Sequence, residues 1–67
     1  MIKDFRLALK MTREELADLA ELDLETLQAF EERGFPGETE VYSIFLLAKA
    51  LRVSVDTLVY FNDKYAR

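Results

Sequence analysis

The chain contains no cysteine and no histidine. This excludes disulfides, Cys/His zinc sites, haem ligation by either residue, and catalysis by a cysteine or a serine–histidine couple. The missing cysteines are compatible with the cytosol, and a cytoplasmic location is expected. Glycine and proline together number only three, too few turn formers for a many-stranded β fold. No apolar run approaches the roughly 18 residues that span a bilayer, so no membrane partner is expected. The opening MIKDFR lacks the apolar stretch of a signal peptide. Positive charge is also scarce: nine Lys and Arg stand against thirteen Asp and Glu, a net charge of −4. Domains that hold nucleic acid through its phosphates ordinarily show a basic face. A nucleic-acid role here therefore needs a local positive patch.

What is present is a 67-residue chain that is 51% hydrophobic. It is too apolar for a disordered segment and is sized for one small domain, residues 1–67. A chain this short hides only about 60% of the surface its unfolded form exposes, so the core is modest. The residue pattern reads as five short helices. Ile2, Phe5 and Leu9 form an apolar stripe over 2–10. Thr12 and Glu15 form a T-x-x-E capping box, which starts a second helix at Arg13 carrying Leu16, Ala17 and Ala20. Asp23 is the next N-cap, ahead of a third helix with Leu27 and Phe30 facing in. The segment 33–38 (RGFPGE) holds both glycines and the proline and reads as the main loop. A fourth helix is expected over 40–51, with Val41, Ile44, Phe45, Ala48 and Leu51 in register. Ser54 caps a fifth over 55–61, and a polar tail with Tyr65 follows. The expected fold is all-α, a compact bundle of five short helices.

Residues 13–32 (REELADLAELDLETLQAFEE) place apolar side chains at Leu16, Ala17, Ala20, Leu22, Leu27 and Phe30. This layout resembles the helix-turn-helix of the Cro/CI phage-repressor (XRE-like) family. Two helices crossing at about 90–120° need a small residue where they touch, which Ala17 supplies. Met11-Thr12-Arg13-Glu14-Glu15-Leu16-Ala17 is similar to the start of the family's second helix. The run 48–58 (AKALRVSVDTL) is similar to its closing A-K-A-L-x-V-S-x-D-x-L. The resemblance covers about residues 2–60 and implies a lambda-repressor-like DNA-binding domain, its second and third helices forming the helix-turn-helix. It further implies an ion pair between Arg6 and Glu31. The recognition helix would be about 24–33, with Leu24, Glu25, Gln28 and Ala29 reading bases. Lys10, Arg13 and Arg33 would hold phosphates. The fifth helix and tail carry the homodimer contact in many relatives, which nominates Phe61 and Tyr65. No cofactor or metal is implied.

Several positions depart from the family pattern. The family's turn glycine is Glu21 here, which requires a left-handed backbone at a cost of about 1 kcal/mol or a reshaped turn. Glu31 is followed by Glu32 and Arg33 before Gly34, so the third helix is expected to run one residue longer. Residues 13–34 carry Arg13 and Arg33 against eight acidic residues, a net −6 on the segment meant to face DNA. Leu19, Leu24, Phe35 and Leu46 are apolar where the family is usually polar and are expected on the surface. Two functions follow. One is a sequence-specific DNA-binding regulator of double-stranded DNA. The other is a protein-interaction module whose acidic, partly apolar face docks a protein partner. An enzyme is not expected. Glu14 and Asp18 lie one helical turn apart, but so small a bundle has little room for the pocket that acid–base chemistry needs.

Overall fold

The computed structural model describes residues 2–65, with side chains through residue 61. Among these residues all regular structure is helical: α1 (Ile2–Ala8), α2 (Arg13–Leu19), α3 (Leu24–Arg33), α4 (Val41–Leu51) and α5 (Val55–Tyr65). The expected all-α, five-helix architecture is what forms.

Helix starts follow local chemistry. The Thr12 hydroxyl accepts from the Glu15 amide at 3.0 Å, and the Glu15 carboxylate accepts from the Thr12 amide at 2.8 Å. Two donors left orphaned at the start of α2 are thereby satisfied. Asp23 Oδ1 accepts from the Thr26 amide at 2.7 Å and caps α3. Ser54 Oγ accepts from the Thr57 amide at 3.0 Å and caps α5.

Helix ends share one device. α1, α2 and α4 each close on a residue with a left-handed backbone: Lys10 (φ 56°), Glu21 (φ 55°) and Arg52 (φ 60°). Each is followed by an apolar residue whose amide reaches back five positions: Met11 to Arg6 O at 3.2 Å, Leu22 to Ala17 O at 2.9 Å, Val53 to Ala48 O at 3.0 Å. These are Schellman closures, and Met11, Leu22 and Val53 pack against the core as the motif requires. Glycine is the usual occupant of the left-handed position; here charged residues hold it against a Cβ penalty. Glu21 thus adopts the expected geometry, while Lys10 ends α1 two residues earlier than the periodicity predicts. Only α3 ends on a glycine, Gly34 (φ 73°), after the extra residue expected of it.

The core comprises Ile2, Leu16, Ala17, Ala20, Leu27, Phe30, Phe35, Leu47, Ala48, Leu51 and Leu58. α2 packs on α3 and α4, α1 on α3, and α4 on α5. Ala17 and Ala20 are buried, which lets α2 approach its neighbours closely.

Four expectations are corrected. Val41 and Phe45 do not face inward: they are 77% and 53% exposed, and α4 buries Leu47, Ala48 and Leu51 instead. α4 (VYSIFLLAKAL) is apolar on nearly every side, so two stripes one position apart satisfied the helical period. Phe35 is buried rather than exposed. Gly34 turns the chain back, and the Phe35 ring meets Phe30 edge-on at 5.9 Å. Leu46 is half-buried against the core rather than outward. α5 continues to Tyr65, beyond residue 61, because no glycine or proline stops it.

Candidate nucleic-acid interface

The residues of interest lie on α3, the helix following the turn 20–23. Its inner face carries Leu27 and Phe30, both buried. Glu31 also points inward, and its side chain is 2% exposed. Arg6 Nε donates to Glu31 Oε2 at 2.8 Å and Nη2 to Oε1 at 3.4 Å, a fork-like pairing. Arg6 Nη1 donates to the Met11 carbonyl at 2.9 Å, which ties the pair to the α1–α2 turn. The expected Arg6–Glu31 pair is therefore present.

Arg13 joins it. Its Nε donates to Glu31 Oε1 at 3.2 Å, and its Nη2 lies 3.2 Å from the same oxygen. The third member was missed at the level of sequence, where Arg13 was assigned to phosphate alone. A contact between residues eighteen positions apart leaves no trace in local spacing. The guanidinium is 37% exposed in its side chain, so it spans the buried carboxylate and solvent.

The outer face is different. Leu24 is 44% exposed, Glu25, Gln28 and Glu32 are exposed, and Ala29 is half-buried. Positions 24, 25 and 32 each lie three or four residues from Gln28, so the four share one surface. Gln28 Nε2 donates to Glu32 Oε2 at 3.1 Å on that exposed surface. Lys10 and Arg33 are exposed and have no carboxylate partner among the described residues. The structure brings Leu24, Glu25 and Gln28 together on one face; it engages Arg13 elsewhere and sets Ala29 partly into the fold.

Two carboxyls near this face lie below their ordinary range. A hydrogen bond from the Thr26 side chain, then one from the Thr26 amide, holds Asp23 down. The Thr12 amide, then the Thr12 hydroxyl, does the same for Glu15. Both carboxylates are thus ionised at neutral pH, Asp23 at the start of α3 and Glu15 in the first turn of α2.

Phe61 is half-buried, and its ring meets Phe5 of α1 edge-on at 5.8 Å and Tyr60 at 5.3 Å. The ring nominated for a dimer contact is used within the domain. The Tyr65 side chain lies outside the described residues. Among the described residues no helix is long and apolar enough to cross a membrane.

Five short helices, with α2 and α3 joined by a tight turn and a capped second helix, define a helix-turn-helix domain. The helix-turn-helix family model matches residues 2–58, and the chain belongs to that family, of the Cro/CI (XRE-like) type. Comparison with curated proteins and with solved structures gives no match.

Proposed function

We propose that this domain is a DNA-binding transcriptional regulator that lays α3 in the major groove. The observation that carries the reading is the division of labour on α3. Its inner face is fixed by the core and by Arg6–Glu31–Arg13, while Leu24, Glu25 and Gln28 stand clear of the fold at its N-terminal half. That is the geometry in which side chains reach base edges. Gln28 suits bidentate pairing with adenine, Glu25 accepts from a cytosine amino group, and Leu24 and Ala29 meet thymine methyls. Lys10 and Arg33 supply phosphate contacts, joined by the part of Arg13 that is not held by Glu31.

The test is a fluorescence-anisotropy titration against a labelled mixed-sequence duplex at about 20 and 200 mM salt. Binding at the lower salt that falls steeply at the higher is expected, and Lys10→Ala or Arg33→Ala should each reduce the salt slope by about one. Gln28→Ala should relax base preference in a selection experiment. Absence of binding at low salt overturns the reading.

The net −6 of residues 13–34 and the exposed Leu19 and Leu24 favour a second reading, a module that docks a basic or apolar protein partner. Its complex should be lost on charge reversal at Glu25 and Glu32, and an intact complex would refute it. A homodimer through α5 is compatible with either reading.

A further inference from the structure

A concave feature is lined by residues outside α3. Leu9 and Met11 from the α1–α2 turn, Leu19 from α2, and Leu46 and Ala50 from α4 line a cavity of about 460 Å³. Lys49 and Arg52 complete its lining. Pockets of this size accept small organic ligands. No α3 residue is among its lining, so the feature is separate from the proposed base-reading face, although Lys10 lies in sequence between two of its lining residues.

Its chemistry is one-sided. Most of its lining residues are apolar, and Leu19 is 56% exposed. Among the described residues of the lining the charged ones, Lys49 and Arg52, are both basic, in a chain whose acids outnumber its bases. Neither Lys49 nor Arg52 has a carboxylate partner among the described residues. Arg52 moreover holds a left-handed backbone position, φ 60°, where glycine would be free of strain and would remove the cation. A guanidinium and an ammonium lining one cavity suit a carboxylate, the first as a planar fork and the second as a point charge.

We propose that this groove binds a small anionic amphiphile, a medium-chain carboxylate of about ten carbons. The alkyl chain lies along Leu9, Met11, Leu19 and Leu46, and the carboxylate pairs with Lys49 and Arg52. The cations select for the head group, while the walls exclude water from the tail. No covalent step is involved.

The probe is sodium decanoate, titrated below its aggregation concentration into the ¹⁵N-labelled domain and followed by amide chemical shifts. Saturable one-to-one binding is expected, with shifts centred on Leu9, Leu19, Leu46 and Arg52. Lys49→Glu/Arg52→Glu, both exposed positions, should keep the helical circular dichroism and weaken binding at least about tenfold, the effect of losing charge-assisted hydrogen bonds. Decanol and decylammonium should bind at least about tenfold more weakly than decanoate by the same reasoning. Equal affinity for decanol or decylammonium overturns the proposal, as does decanoate binding unchanged in the double variant or failing to saturate. Capture of an acidic peptide in place of decanoate also overturns it. Arg33→Ala should lose DNA affinity yet bind decanoate as the parent does, so failure of one site is read separately from failure of the other.

Discussion

Glu31 and Glu32 are neighbours in sequence with the same side chain, yet they sit on different faces of α3. The Glu31 side chain is 2% exposed and is gripped by two guanidiniums; Glu32 is exposed and accepts from the side-chain amide of Gln28. About 100° of helical rotation separates a carboxylate that builds the frame from one that sets the character of the surface. The lesson concerns charge. Removing the Arg13–Glu31 pair from the count leaves residues 13–34 at −6, one base against seven acids. The internal network therefore consumes one cation that would face DNA and relieves none of the surface excess.

The sharpest way to break this comparison is to neutralise the inner face. Glu31→Ala should cost about 3–5 kcal/mol, because it strands the buried Arg6 without its counter-charge. A small domain has roughly 5–15 kcal/mol in all, so urea denaturation should find the variant close to unfolded. Replacing both partners, Arg6→Met with Glu31→Leu, should cost much less, since no uncompensated charge remains. Leu27→Ala tests the apolar part of the same face and should lose about 2–5 kcal/mol, read by the same denaturation.

A smaller effect of opposite sign is expected in the turn before α3. Glu21→Gly removes the Cβ from a left-handed backbone and should raise stability by up to about 1 kcal/mol, measured as a shift in the urea midpoint. The acid response of the caps is gentler still. Asp23 and Glu15 lie below their ordinary values, so their contribution is full above the unfolded carboxylate range. It is lost as pH falls through the lower folded values. Asp23→Asn retains an N-cap acceptor but does not titrate. Thermal melts at about pH 7 and pH 3 should therefore show a smaller acid loss in the variant. The outer face should respond least: Gln28→Ala should change stability by no more than about 0.5 kcal/mol while altering base selectivity.

Much of this frame was legible before any coordinates. Thr12, Asp23 and Ser54 are caps because a side-chain oxygen and an orphaned amide lie within the same turn, which is local information. The Arg6–Glu31 pair came from the family pattern and is present. The failures share a cause. The register of α4 is chosen by what it packs against, and a helix apolar on most sides offers no preference of its own. Phe35 is buried because Gly34 turns the chain back, a matter of one backbone angle. Arg13 reaches Glu31 across a tertiary gap that no local spacing encodes.

The Arg6–Glu31–Arg13 network has a consequence for local opening. It takes one residue from each of α1, α2 and α3, and Arg6 also grips the Met11 carbonyl between the first two. Lifting any one of these helices away breaks at least one bond to Glu31, so the three should open as one cooperative unit. Their slowest amide protons should then exchange with solvent at a common free energy. Among the described residues α4 and α5 contribute nothing to this network, so their amide protons are free to exchange by smaller, separate openings.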